Sequence, residues 1–76
     1  MEIRYSKQAI RYLKKMPDSE VVVRKIKQLP SGNTKKFMNN PKATHRLRVG
    51  GIRILFRIEN KIIEVYKIGT RGDIYK

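Results

Sequence analysis

Between Lys7 and Met16, Ala9, Tyr12, Leu13 and Met16 recur at the spacing of one helical face, and Ile10 widens the apolar stripe. Ser6 is a suitable N-cap for this helix, and Pro17, which cannot continue the hydrogen-bond ladder, ends it. A second helix follows. Asp18 or Ser19 caps it, Glu20 sits favourably in its first turn, and Val22, Ile26 and Leu29 mark its apolar face. Pro30-Ser31-Gly32-Asn33 stops it. Two helices with so tight a break between them predict a helical hairpin. Ahead of them, Glu2 to Tyr5 alternates Ile3 and Tyr5 with charged residues, the pattern of a short strand. Residues 34–43 carry no period and read as a polar, irregular stretch.

From Thr44 the period becomes two. His45, Leu47 and Val49 fall on one face, and Thr44, Arg46 and Arg48 on the other. Gly50-Gly51 is a two-residue hairpin signal. Ile52, Ile54, Phe56 and Ile58 then alternate with Arg53, Leu55 and Arg57. Asn60-Lys61 makes a second turn, and Ile62 to Ile68 a last strand. The predicted fold is α+β with the order β-α-α-β-β-β. It is a small antiparallel meander with the helical hairpin packed on one face, and the first strand joins the same sheet. A chain of 76 residues makes one domain, residues 1–76.

Folding back at Gly50-Gly51 sets Val49 opposite Ile52, Arg48 opposite Arg53, Leu47 opposite Ile54 and Arg46 opposite Leu55. Directly opposed residues share a face, so the apolar pairs build the core and Arg46, Arg48 and Arg53 gather on the far side. Like charges directly opposed on a sheet are destabilising by about 0.2–1 kcal/mol per pair. An Asn60-Lys61 turn brings Glu64 opposite Arg57, which neutralises that arginine and leaves the other three bare. Guanidinium forks bind phosphate bidentately, so the cluster suggests a phosphate cradle; the competing reading is an ordinary solvated sheet face.

Charge strengthens the first reading. Nineteen Lys and Arg stand against six Asp and Glu, a formal net charge of +13. So large an excess on so small a body repels itself and suggests a polyanionic partner such as RNA, DNA or an acidic protein. There is no cysteine, which excludes disulfides and thiolate metal sites and fits the cytoplasm. No apolar run approaches a membrane span, and few carboxylates are present to build a metal site, so neither metal nor small-molecule cofactor is expected. His45, the lone histidine, faces the core near Phe56, which argues against a histidine-pair nuclease. Lys35, Lys36 and Lys42 either clamp RNA or are solvated. Tyr75 either packs with Ile74 to anchor the terminus, stacks on a base, or transfers a proton.

The stretch His45-Arg46-Leu47-Arg48-Val49-Gly50-Gly51-Ile52-Arg53-Ile54-Leu55-Phe56 and the later Ile68-Gly69-Thr70-Arg71-Gly72-Asp73-Ile74-Tyr75 together resemble the RelE branch of the RelE/ParE superfamily of toxin–antitoxin toxins. Tyr5-Ser6-Lys7-Gln8-Ala9 and Gln28-Leu29-Pro30-Ser31-Gly32 fit the same pattern. The resemblance implies an mRNA interferase: a ribosome-dependent endoribonuclease that cuts mRNA in the ribosomal A site by attack of the substrate's own 2′-hydroxyl, without metal. It further implies a cognate antitoxin, with the ribosome and mRNA as the other partners. The family's functional positions fall on Arg46, Arg48, Arg53, Arg71 and Tyr75. Of these, Arg53, Arg71 and Tyr75 are the catalytic candidates, while Arg46 and Arg48, with Lys35 and Lys36, would hold RNA. The chain departs from the better-known pattern in carrying arginine at 46 and 48, where lysines often stand, and Thr70, where many relatives have histidine. Arginine keeps the charge, but with a pKa above ~12 it is a poor general base. Tyr75 is left as the titratable candidate. A ParE-like, non-nucleolytic inhibitor of DNA gyrase and a non-catalytic RNA-binding module are the alternatives.

Overall fold

The computed structural model describes residues 2–29, 34–40, 43–70 and 72. Its elements are β1 (Glu2–Tyr5), α1 (Lys7–Lys15), α2 (Ser19–Lys27), β2 (Thr34–Asn40), β3 (Ala43–Val49), β4 (Ile52–Glu59) and β5 (Ile62–Thr70). The α+β class and the helical hairpin beside a meander are as predicted. The sheet has one strand more than the sequence pattern suggested, because β2 forms within the stretch read as irregular. It pairs antiparallel with β3, Thr34 opposite Leu47, Lys35 opposite Arg46 and Lys36 opposite His45, before the register shifts and Asn40 meets Ala43. Main-chain ladder bonds need no side-chain alternation, so an edge strand can form without a period-two signal. The order across the sheet is β1-β5-β4-β3-β2, with β1 parallel to β5 and the remaining pairs antiparallel.

Ser6 joins the first helix to the sheet. Its Oγ accepts the Ala9 N–H at 3.1 Å, as an N-cap does, and donates to the Tyr66 carbonyl at 2.6 Å. Its own N–H donates to Val65 O at 2.9 Å. Two residues on, the Gln8 amide behaves as a strand residue would. Nε2 donates to Ile68 O at 2.7 Å and Oε1 accepts from Ile68 N at 2.9 Å. Because β1 reaches only Ile62 to Val65, Ser6 and Gln8 between them satisfy β5 further along. Helix α2 has no such anchor; Asp18 makes no side-chain capping bond, and burial of Val22 and Ile26 holds the helix down.

Ala9, Val22, Ile26 and Leu29 pack from the helix side against Leu47, Ile54, Phe56, Ile63, Val65 and Ile68 from the sheet. His45 stacks on Phe56, ring centroids 5.4 Å apart and 20° from parallel, in the place the alternation assigned it. Strict alternation along β5 cannot bury Ile63, Val65 and Ile68 together. A bulge solves this: Leu55 pairs with Lys67 and Phe56 with Val65, so Tyr66 is the extra residue and the inward phase changes there. Both hairpin turns have two residues. Gly50 takes φ +58°, the left-handed conformation that glycine accepts without a Cβ penalty, while Asn60 and Lys61 adopt φ 52° and 63°.

Replacing Gln8 with alanine removes both bonds to Ile68 and leaves a partly buried N–H and C=O to find new partners. Urea denaturation is expected to show a loss of about 1–3 kcal/mol. The Ile68 amide is expected to exchange with solvent faster than its neighbours in β4.

Candidate nucleic-acid interface

Register decides what the sheet face turned away from the helices carries. The observed β3–β4 pairing sets Val49 opposite Ile52, Arg48 opposite Arg53, Leu47 opposite Ile54 and Arg46 opposite Leu55. Extended through the other strands, the pairing arranges this outer face in rows. Nearest the Gly50-Gly51 turn stands Arg48–Arg53–Gly69. The next row is Lys35–Arg46–Leu55–Lys67. Past the bulge comes Arg57–Glu64–Arg4, and beside the Asn60-Lys61 turn Glu59–Ile62–Glu2.

The outer face is therefore electrically polarised along its strands. Arg46, Arg48, Arg53 and Lys67 sit at the Gly50-Gly51 end with no carboxylate in their rows. Of the six Asp and Glu in the sequence, Glu2, Glu59 and Glu64 sit in the rows at the other end. An anion approaching this face is drawn toward the Gly50-Gly51 hairpin and away from the opposite turn.

The three hairpin arginines differ in exposure. Arg48 is exposed, and Arg46 is half-buried. Arg53 was expected to stand bare, but only 8% of it is exposed. Its Nη1 donates to Gly50 O at 3.1 Å and to Ile52 O at 3.4 Å, so the guanidinium curls back over its own turn. Gly69, opposite it on β5, offers no side chain and leaves space for that fold-back. The expected neutralisation of Arg57 holds through a different partner. Glu64 is opposite it in register, but Arg57 Nη2 pairs with Glu59 Oε2 at 2.8 Å, two residues along the same strand. Arg4 likewise pairs with Glu2.

No family model matches this sequence, and no curated protein is detectably similar to it. Solved structures do match. A chain of the RelBE2 toxin–antitoxin complex from Mycobacterium tuberculosis superposes with TM-score 0.72 and 23% identity, covering 92% of this chain and 96% of that one. A chain of the RelB–RelE antitoxin–toxin complex from Methanococcus jannaschii gives 0.70 and 18%, covering 95% and 94%. A chain of the archaeal RelE–RelB complex from Pyrococcus horikoshii gives 0.68 and 19%, covering 95% and 96%. This chain has a RelE-like toxin fold.

On that RelE-like sheet, Arg46, Arg48 and Arg53 fall at one end of one face, as the alternation required. Lys35 stands in the Arg46 row and Lys36 opposite His45, so the two lysines occupy positions of opposite facing; their side chains lie outside the described residues. Arg71, Tyr75 and Lys42 also lie outside them. His45, stacked in the core layer, is on the far side of the sheet from the arginines. Arg4, Arg57, Glu64, Tyr66 and Lys67 share the outer face and had not been singled out as a site. The alternation of Glu2 and Arg4 with Ile3 and Tyr5 held the signal for the first of them, and the Asn60-Lys61 turn that for Arg57 and Glu64, but the bulge hid the phase of Lys67.

Arg48→Thr separates stability from binding. Removing the opposed like charge is expected to raise stability by about 0.2–1 kcal/mol in thermal or urea unfolding. The same substitution is expected to weaken oligoribonucleotide binding and to lower the slope of log affinity against log salt by ~1.

Proposed function

We propose that this chain is the toxin of a type II toxin–antitoxin pair, acting in the cytoplasm as an endoribonuclease that cuts mRNA in the ribosomal A site. The observation that carries this reading is the cationic end of the outer face, where Arg46, Arg48 and Arg53 stand beside the Gly50-Gly51 turn with no carboxylate in their rows among the described residues. Strand β5 runs out at Thr70, opposite Ile52, so the chain leaves the sheet at the Arg48–Arg53 row and Arg71 is its next residue. The last described strand therefore ends at the cationic end of the face, and Arg71 and Tyr75 follow it in the sequence.

The chemistry asked of these residues is modest. The ribose 2′-oxygen attacks the adjacent phosphorus in line with the 5′-oxygen, which leaves. A 2′,3′-cyclic phosphate and a 5′-hydroxyl result, the 2′-hydroxyl losing a proton and the departing oxygen gaining one. Negative charge grows on the phosphoryl oxygens, and guanidinium groups fixed nearby stabilise that state above the ground state. Arg53 and Arg71 take this role, and Arg46 and Arg48, with Lys35 and Lys36, grip the backbone. For Arg53 this requires its guanidinium to leave the Gly50 carbonyl when a phosphate offers a better acceptor. Tyr75 orients the substrate or supplies the proton to the leaving oxygen. Arginine is a poor base, so the ribosome supplies much of the rate by holding the RNA in line for attack. An antitoxin with acidic and apolar residues is the matching partner for so basic a surface.

The tucked guanidinium of Arg53 favours one competitor, an RNA-binding module without chemistry, in which Arg53 only fastens the hairpin. Programmed ribosomes separate the two. With folded wild-type protein, A-site mRNA is expected to be cut, and Arg71→Ala to slow cutting by roughly 10²-fold or more, the scale of losing one transition-state donor. Tyr75→Ala is expected to slow it as well. RNA bound tightly and left intact by the wild type refutes the nuclease and leaves the module.

A further inference from the structure

Past the β5 bulge, the outer face holds a basin of about 360 Å³ whose walls include Arg4, Arg57, Glu64 and Tyr66. Its composition does not suit a phosphate. The flanking arginines turn to carboxylates along their own strands, Arg4 to Glu2 and Arg57 to Glu59. Each is thus held in place and partly neutralised. Glu64, between them in the row, is exposed, and no ion pair closes on it among the described residues. Tyr66 lies half-buried against Leu55 and Ala43 and contributes to the wall of the basin.

An available carboxylate beside a braced aromatic ring, on a face that otherwise attracts polyanions, calls for a ligand that is flat and carries N–H donors while its phosphates lie elsewhere. A nucleobase has these properties. We infer that the Arg4–Arg57–Glu64–Tyr66 basin is a base-reading subsite, in which the ring stacks on Tyr66 and Glu64 accepts hydrogen bonds from the base edge. Guanine fits best, since its N1–H and N2–H₂ are adjacent donors that match the two oxygens of a carboxylate. Arg57 lies four residues from Arg53 on β4, about 13 Å along the strand, so the backbone is gripped at the hairpin while a neighbouring base is read past the bulge. This rests on the RNA-binding half of the proposed function.

The test uses the whole chain and short oligouridylates carrying one central guanine, inosine or adenine, with affinities measured at fixed salt. Wild type is expected to favour the guanine oligomer over all-uridine by about tenfold, and inosine, which lacks the N2 amino group, to lose much of that gain. Glu64→Gln, a conservative change at an exposed position, is expected to abolish the guanine preference and leave the all-uridine affinity within about twofold. Tyr66→Leu is expected to weaken the guanine oligomer about fivefold or more. If Glu64→Gln tightens every oligomer by one factor, the carboxylate only repels phosphate and the base-reading role is overturned. A guanine preference that survives the substitution overturns it too. Binding of no oligomer by the wild type removes the RNA reading itself, an outcome distinct from both.

Discussion

The pairing of β3 with β4 across Gly50-Gly51 is the constraint on which the rest of the outer face depends. Side chains along a strand alternate strictly, so a slip of one residue would carry Leu47, Ile54 and Phe56 to the outside and bring the arginines under the helices. Such a slip would expose the largest buried residues of the sheet and bury several cations among apolar neighbours, so registers of the opposite phase are heavily penalised. The positive φ of Gly50 lets the chain reverse in two residues, and burial selects the phase. The arginine cluster follows from where the apolar residues must go.

Local chemistry then adjusts what register sets out. Arg53 is aimed outward by its strand yet lies almost wholly covered, because two carbonyls of its own turn are within reach and Gly69 opposite leaves space. Arg57 faces Glu64 across the ladder and bonds Glu59 along it. In both cases backbone pairing determines the neighbourhood, and the final contact goes to the acceptor a long side chain reaches at least strain. The consequence for chemistry differs between the two: Arg57 becomes part of a braced wall, whereas Arg53 keeps its charge at the cationic end.

Much of this was legible in the sequence. Helix boundaries came from Ser6, Pro17 and the spacing of Ala9, Tyr12, Leu13 and Met16. The hairpin register came from the two glycines and the alternation on either side, and the position of His45 beside Phe56 came with it. What could not be read has physical causes. Thr34 to Asn40 forms an edge strand through main-chain bonds, which leave no trace in side-chain pattern. The bulge at Tyr66 changes the phase of β5 midway, so the outward company of Glu64 and Lys67 appears only once pairing is known. Ion-pair choice between Glu59 and Glu64 depends on rotamer reach and not on residue order.

The Gln8 amide has a consequence for how the molecule meets other chains. Where β1 stops, the border of β5 would present free main-chain donors and acceptors, a ready template for a foreign strand and a route to aggregation. With Ser6 on the Tyr66 carbonyl and Gln8 closing both groups of Ile68, that stretch is sealed by side chains of the helix that already covers it. Strand addition on that flank is left to the short β1. The longer β2 forms the opposite margin of the sheet.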